Sequence, residues 1–202
     1  MLSLEHEQAQ GWPRRKVLGV DEVGRGPWAG PVVAAALCLP PDYGDIGLDG
    51  LQDSKKLTEK KRESLFDILV TLPHGIGLAS VEEIDRLNIL QASLLAMTRA
   101  VEACPYPPDH VLVDGNKLPD WPYAASSLVK GDTLSPSIAG ASVLAKVTRD
   151  RMMVDLDVAY PGYGWASNKG YGAKAHQQAL ASQGVTPHHR KSFAPIRKLL
   201  GG

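Results

Sequence analysis

Cysteine is scarce in this 202-residue chain, and long apolar runs are absent. The two cysteines, Cys38 and Cys104, lie in apolar surroundings without the spacing of metal ligands, which argues against a disulfide framework and a thiolate zinc site. No apolar run reaches the roughly 20 residues of a membrane span. The polar, acidic start of the chain is unlike a secretion signal. We therefore expect a cytoplasmic protein with reduced core thiols and no membrane partner.

The formal net charge is zero, with 22 Lys and Arg against 22 Asp and Glu. This balance by itself argues against binding to nucleic acid. The charges are unevenly distributed, however. Residues 1–114 hold 11 basic and 17 acidic side chains, residues 115–202 hold 11 and 5, and no acid follows Asp157. A basic part joined to an acidic part suggests a positive groove beside a metal site, although a solvated basic surface explains the charge equally well.

Apolar runs alternate with helical patterns along the chain. Strands are predicted at 16–21, 30–39, 75–80, 110–113 and 124–129, the first two as an antiparallel hairpin. Helices are predicted at 58–69, 89–103, 136–160 and 173–183, with a helix or turn at 81–88 and a helical tail from 195. This order predicts an α/β domain over residues 16–202, with a mixed five-stranded sheet flanked by helices. Residues 1–15 are assigned to an N-terminal tail whose order the sequence does not decide.

Two adjacent carboxylates, Asp21 and Glu22, end the first predicted strand. Burying two neighbouring negative charges is costly unless a cation offsets them, and a divalent metal ion is the usual one. Gly24, Arg25 and Gly26 follow as a flexible backbone turn with one guanidinium. Acids for a metal, followed by glycine and arginine for a phosphodiester, are typical of a nuclease. An exposed acidic turn is the plainer alternative.

Asp114 and Asp132 stand at the ends of two further predicted strands. Ligands gather at the carboxyl edge of the strands in open α/β sheets, so these acids are expected to meet Asp21 and Glu22. Each is also compatible with an ordinary turn residue, because glycine lies beside both. Taken together, the four carboxylates predict a site for two Mg²⁺ or Mn²⁺ ions, which prefer oxygen ligands.

These residues belong to a longer pattern that resembles ribonuclease HII, the type 2 ribonuclease H. The pattern begins with Gly-Val-Asp-Glu-Val-Gly-Arg-Gly-Pro at 19–27 and continues in order at 53–57, 84–89, 113–116, 130–132, 141–150, 168–172 and 189–195. It covers nearly the whole chain from about residue 16. The resemblance implies a ribonuclease H-like fold with a C-terminal helical extension. It also implies hydrolysis of the RNA strand of RNA–DNA hybrids, and cutting 5′ of a single ribonucleotide in duplex DNA to leave 3′-hydroxyl and 5′-phosphate ends.

The resemblance also implies residue roles by matching position. The family's catalytic, metal-binding carboxylates correspond to Asp21, Glu22, Asp114 and Asp132. The turn that reads the ribose 2′-hydroxyl corresponds to Gly24, Arg25 and Gly26. Tyr171 corresponds to the tyrosine that stacks on the sugar after the RNA–DNA junction.

Three side chains are weaker candidates for phosphate contacts, namely Lys55, Lys56 and Ser142. The lysines are equally compatible with solvated charges, and the serine with a small packing residue. A DNA-directed nuclease or resolvase on the same fold is the main competitor, but DNA has no 2′-hydroxyl for the glycine turn to read. A non-catalytic binding module is disfavoured because free carboxylates repel phosphate. We expect a monomer, and without an obvious clamp-binding peptide we expect no sliding-clamp partner.

Overall fold

A computed structural model describes residues 2–201 of the chain. The helices are α1 (Glu5–Ala9), α2 (Glu59–Leu69), α3 (Val81–Leu87), α4 (Ile89–Glu102), α5 (Pro136–Ala159), α6 (Trp165–Asn168), α7 (Lys174–Gln183) and α8 (Ala194–Leu199). The strands are β1 (Val17–Val23), β2 (Val32–Cys38), β3 (His74–Ala79), β4 (His110–Asp114) and β5 (Ala125–Leu128). Two 3₁₀ turns, Tyr43–Asp45 and Gly131–Thr133, lie in the connections.

The five strands form one mixed sheet in the order β3-β2-β1-β4-β5, as the sequence predicts. The central strand β1 pairs antiparallel with β2 and parallel with β4, and Val20 lies opposite Val113. Asp21 and Asp114 come next in that parallel register. Because β1 and β4 run in the same direction, their carboxyl ends meet at one rim of the sheet.

Two long helices cover opposite faces of this sheet. On one face α4 packs in an apolar cluster that contains Val20. On the other face α5 approaches β1 so closely that a Cβ on Gly19 would collide with the main chain of Ser137. Gly140 of α5 leaves room for the Leu37 side chain of β2, where a Cβ would collide.

Two of the helices begin at a side-chain cap. The Thr58 hydroxyl accepts a hydrogen bond of 3.3 Å from the Lys61 N–H at the start of α2. The Ser135 hydroxyl accepts one of 3.2 Å from Ile138, and Pro136 occupies the first turn of α5. None of the helices between residues 2 and 201 combines the length and apolar character that a membrane crossing requires.

The N-terminal tail is folded onto the domain, which the polar sequence does not reveal. Glu7 in α1 is fully buried. Its Oε1 accepts hydrogen bonds from the Ser135 hydroxyl at 2.5 Å, the Ser137 hydroxyl at 2.6 Å and the Ser137 N–H at 3.1 Å. A glutamate in a polar stretch normally lies at the surface, so composition gives no sign of this contact. Met1 and Gly202, the outer ends of the predicted division, lie outside the described residues.

The C-terminal helices α6, α7 and α8 form a small separate core at the end of α5. Trp165, Tyr163, Leu180 and Ile196 are buried there together with Met153 of α5. This region is the helical extension that the sequence predicts, and it holds the loop that carries Tyr171 beside the sheet.

Candidate active site

Asp21 and Glu22 lie near the end of β1 and, as neighbours in a strand, point to opposite faces of the sheet. Asp21 is 4% exposed, and its Oδ1 accepts a hydrogen bond of 2.7 Å from the Glu22 N–H. Burial raises the pKa of Asp21 well above its usual value, and the negative charges of Glu22 and Asp114 raise it further. Burial also raises the pKa of Glu22, although Arg25 opposes this effect. The strand therefore ends in two acids that resist ionising together.

Asp114 ends β4 and is tied to the turn that contains Asp132. Its Oδ1 accepts a hydrogen bond of 2.7 Å from the Gly131 N–H. This bond holds the 3₁₀ turn at the rim, where Asp132 is 7% exposed. Burial raises the pKa of Asp132, and the charges of Asp53 and Asp114 add to the effect. The fold therefore brings the four predicted carboxylates to the same rim of the sheet.

The loop at 53–56 adds two charged side chains to this rim. Asp53, which the sequence pattern does not mark as a site residue, lies beside Asp132, and its Oδ1 accepts a hydrogen bond of 2.9 Å from the Lys55 N–H. Burial lowers the pKa of Lys55, but the charges of four nearby carboxylates outweigh this and raise it overall. Lys55 is thus a cation that offsets the acids. Lys56 is exposed, and its phosphate contact stays a prediction.

Ser142, a predicted phosphate contact, lies next to Asp21. It is buried in α5, and its hydroxyl shares a hydrogen bond of 2.9 Å with the buried Ser54. It also interacts with Asp21 and lowers the pKa of that carboxyl. The hydroxyl is therefore placed to orient Asp21, and its phosphate contact stays a prediction.

The donor set of the rim suits a hard divalent cation. All its donors are carboxylate oxygens, which fit Mg²⁺ or Mn²⁺ better than zinc. The raised pKa values of Asp21, Glu22 and Asp132 indicate that protein cations compensate these acids only in part. In the range 2–201, no three His, Cys, Asp or Glu side chains form a ready-made ion-binding group. The two-ion site therefore stays a prediction, supported by the chemistry of its donors.

Residues 24–31, called the 24–31 loop below, continue directly from β1. Gly24 has a φ of 96°, and a Cβ there would collide with the Arg149 side chain, so the position requires glycine. The side chain of Arg25 is half-exposed, and its Nη1 lies 3.3 Å from Oε1 of Glu22. In this structure the arginine of the loop therefore compensates one acid of the rim.

Tyr171 stands next to this loop on the surface. It is 51% exposed, and a Cβ added to Gly26 would lie 3.2 Å from its Cε1. The following Gly172 lies against the indole of Trp28, where a Cβ would collide with the ring. The tyrosine ring thus lies beside Gly26, and the packing of Gly172 on Trp28 fixes the adjoining backbone.

The acidic rim and the 24–31 loop border one cavity of about 290 Å³. Glu22, Asp114 and Arg25 line its polar side, and Leu94 and Met97 of α4 line its apolar side. Two of the four carboxylates, Glu22 and Asp114, therefore face this cavity.

A family model described as ribonuclease HII matches residues 18–196. The chain belongs to the ribonuclease HII family. It is 56% identical over 184 residues to ribonuclease HII of Sphingopyxis alaskensis, covering 91% of each chain. It is also 56% identical over 190 residues to ribonuclease HII of Magnetococcus marinus, covering 92% of this chain and 88% of that protein. The crystal structure of ribonuclease H2 from Pyrococcus horikoshii OT3 superposes with a TM-score of 0.75 at 26% identity, covering 91% of this chain and 96% of that chain.

The predicted family and the ribonuclease H-like fold are thereby confirmed. Membership of the ribonuclease HII family makes the chain a metal-dependent ribonuclease that acts on RNA–DNA hybrids. The acidic rim, with its oxygen donors beside an open cavity, is the place in the fold that suits such chemistry.

Two buried arginines bind backbone carbonyls of the 24–31 loop. Arg149 of α5 donates to the carbonyl oxygens of Pro31 at 2.9 Å, Ala29 at 3.1 Å and Lys169 at 3.0 Å. Arg190 binds further carbonyls of the same loop. Sequence reasoning missed both residues, because a basic side chain looks like surface charge until its burial is known. For Arg149 the sequence does hold one signal of burial, since it follows the apolar run of α5.

A pair of buried histidines supports the Tyr171 loop. Trp165 Nε1–H donates to His176 Nε2 at 3.2 Å, so that nitrogen is an acceptor and His176 carries its proton on Nδ1. This Nδ1–H donates to the Tyr171 carbonyl at 2.8 Å. His189 then donates its own Nε2–H to His176 Nε2 at 3.0 Å, and its Nδ1 accepts from Thr186. With both imidazoles neutral, His176 Nε2 is the shared acceptor for the Trp165 and His189 N–H groups.

Proposed function

We propose that this chain, besides cutting the RNA strand of RNA–DNA hybrids, cuts 5′ of a single ribonucleotide embedded in duplex DNA. The products are 3′-hydroxyl and 5′-phosphate ends. The observation that carries the proposal is the placement of the 24–31 loop and Tyr171 beside the acidic rim. Groups suited to recognising one ribose then lie next to groups suited to hydrolysis of the neighbouring phosphodiester.

The proposed ligands of two Mg²⁺ or Mn²⁺ ions are Asp21, Glu22, Asp114 and Asp132. Such ions supply charge neutralisation and orient a phosphodiester for in-line attack by water. The protein keeps the acids close together and partly dry, which favours binding of a cation over solvation of the separate carboxylates. Arg25 and Lys55, which offset these acids in the structure, are the side chains we assign to phosphate contacts, with the exposed Lys56 beside them.

The 24–31 loop is the proposed reader of the ribose. The 2′-hydroxyl is the group that separates a ribonucleotide from a deoxyribonucleotide, and it both donates and accepts hydrogen bonds. Gly24 and Gly26 let the backbone approach that hydroxyl without a Cβ in the way. The exposed ring of Tyr171, against Gly26, offers an apolar face to the next sugar, where a 2′-hydroxyl would collide. This pair of contacts favours a junction of RNA followed by DNA.

We further assign residues 16–202 to one catalytic unit whose C-terminal helices supply substrate contacts. The support is that Tyr171 lies between α6 and α7, whose apolar core shares Met153 with α5. The tyrosine is therefore carried by a region that packs on the sheet-covering helix and does not stand apart from it.

The test uses a duplex with one ribonucleotide, labelled on that strand and incubated with Mg²⁺, with Mn²⁺ or with a chelator. We expect one cut, 5′ of the ribonucleotide, only when metal is present. Asp21→Asn and Asp114→Asn are expected to abolish it while the circular dichroism spectrum is unchanged, because an amide binds a divalent cation weakly. Asp67→Asn, at an exposed position of α2, is the matched control and should cut normally.

Two outcomes would contradict the proposal. Normal turnover by Asp21→Asn or Asp114→Asn in Mg²⁺ would show that the rim does not hold the catalytic metal. Equal cutting of an all-DNA duplex of the same sequence by the unmodified chain would indicate a DNA-directed nuclease and refute the reading of the ribose.

A further inference from the structure

Arg190 is a fully buried cation without a carboxylate partner. It is 0% exposed, and within residues 2–201 no ion pair includes it. Burial, together with the charge of Arg149, lowers its pKa to about 9. Burying an unpaired guanidinium costs several kcal/mol, which only many well-placed acceptors can offset. We therefore expect the buried guanidinium of Arg190 to fix the position of the acceptors that it binds.

The groups that Arg190 binds are backbone carbonyls of the 24–31 loop. Its Nη2 donates to Gly24 at 2.6 Å and to Gly30 at 2.8 Å. Its Nη1 donates to the Arg25 carbonyl at 2.9 Å, and its Nε to Gly30 at 2.9 Å. A weaker bond of 3.2 Å reaches Pro31. One guanidinium therefore holds both ends of the loop together.

The direction of these bonds decides what the loop presents to the surface. In a trans peptide unit the C=O and the N–H point in opposite directions. The Gly24 and Arg25 carbonyls point inwards to Arg190, so the N–H groups of the same peptide units, those of Arg25 and Gly26, point outwards. Both residues are exposed, and among the described residues neither N–H donates to another protein group.

Two consecutive outward N–H groups form a small concave donor site for an oxygen acceptor. A cation bound to the carbonyl of a peptide polarises that peptide and makes its N–H a stronger donor. Arg149 binds the same loop but does not touch these two carbonyls, since its acceptors are Ala29, Pro31 and Lys169. Arg190 therefore binds the carbonyls whose peptide N–H groups form the donor pair, and Arg149 does not.

We propose that Arg190 is a positioning residue for ribose recognition: it holds the Gly24 and Arg25 carbonyls so that the Arg25 and Gly26 N–H groups face the 2′-oxygen of the substrate as a polarised donor pair. The inference rests on the proposed reading of the ribose by this loop. A phosphate oxygen has the same acceptor chemistry, and the experiment below separates the two sources.

The experiment compares binding of two duplexes that differ by one 2′-hydroxyl, measured by fluorescence anisotropy in the cleavage-inactive Asp114→Asn background. Adding Arg190→Lys, which retains the charge but cannot span the carbonyls, should lower the preference for the ribonucleotide duplex by a factor of about 3 to 10, as loss of one or two hydrogen bonds predicts. As a control, adding Arg197→Lys, at an exposed position of α8, should leave the preference within about twofold. Equal weakening of both duplexes by Arg190→Lys would place a phosphate at the donor pair and overturn the proposal.

A second readout does not depend on a stable variant. The Asp114→Asn chain, with Arg190 intact, is labelled with ¹⁵N and measured by NMR. Its Arg25 and Gly26 amide proton resonances should lie further downfield with the ribonucleotide duplex than with the all-DNA duplex. Identical shifts with both duplexes would overturn the proposal. If the Asp114→Asn chain binds both duplexes equally, the proposed function fails as well. If it prefers the ribonucleotide and Arg190→Lys leaves that preference intact, the role of Arg190 alone fails.

Discussion

Lowering the pH from 7 to 4 is expected to destabilise the fold through His189. This residue is fully buried, and burial together with the neighbouring His176 lowers its pKa to about 4 from the ordinary 6.5. The unfolded chain therefore takes up a proton at this position near pH 6.5, whereas the folded chain does so only near pH 4. Stability contributed by the neutral imidazole is complete above pH 6.5 and is lost as the pH falls through this window.

The size of the effect follows from the two pKa values. The difference between 6.5 and about 4, at about 1.4 kcal/mol for each pH unit, gives a loss of about 3 kcal/mol. Burial also lowers the pKa of His176, which adds a loss of the same sign. The raised pKa values of Asp21 and Glu22 act in the opposite direction, because the folded state then binds protons before the unfolded state does.

The assay must therefore compare two proteins and not two pH values alone. In His189→Gln the side-chain amide can still donate to His176, but it does not titrate. Urea unfolding, followed by tryptophan fluorescence, should show a stability advantage of the unmodified chain over His189→Gln that shrinks by about 3 kcal/mol between pH 6.5 and 4. The carboxylates cancel in this difference because both proteins contain them. A constant difference across the window would refute the assignment of neutral, mutually bonded histidines.

Two further predictions concern the loop and the tyrosine. Gly24→Ala should lower the free energy of unfolding in urea by at least about 2 kcal/mol, because the strain at a φ of 96° and the collision with Arg149 add together. The control Gly50→Ala has a φ of 77° but only an ordinary contact, so it measures the backbone strain alone. An equal loss in both variants would contradict the collision. Arg25→Ala and Tyr171→Ala should lower kcat/KM at a single ribonucleotide about tenfold or more, while the free energy of unfolding stays within about 0.5 kcal/mol. Tyr171→Phe keeps the ring and should retain activity. Equal loss of activity in the phenylalanine variant would argue against stacking on the sugar.

Most helices and strands follow from local patterns in the sequence. The apolar run that becomes β1, the cap at Thr58 and the proline in the first turn of α5 are each readable without a structure, and all are confirmed. Strand ends also locate Asp21 and Asp114 at one rim, since parallel neighbours share a carboxyl edge. These features depend on residues close together in the chain, or on the general geometry of a sheet.

Contacts between distant segments were not predictable in the same way. The N-terminal helix α1 contacts the start of α5 through the carboxylate of Glu7. Because this contact is polar, the sequence of α1 shows no apolar pattern that would predict it. From the sequence Ser142 is compatible with a phosphate contact or with a packing residue, and only the structure shows its hydroxyl bonded to Ser54. Asp53 joins the rim only because the 53–56 loop folds back on the turn of Asp132. Polar groups in each case are buried by partners far away in the sequence.

The sequence by itself determined the order of the elements, the mixed sheet and the acids at its rim, because periodicity and strand ends are local properties that each segment carries with it. Only the tertiary structure decided which charges are buried and what they bind. Arg190 is indistinguishable from a solvated surface charge until the chain closes around it, and for Arg149 the preceding apolar run of α5 is the only signal. Their acceptors are backbone carbonyls, which every residue has, so no side-chain pattern could identify the 24–31 loop as their partner.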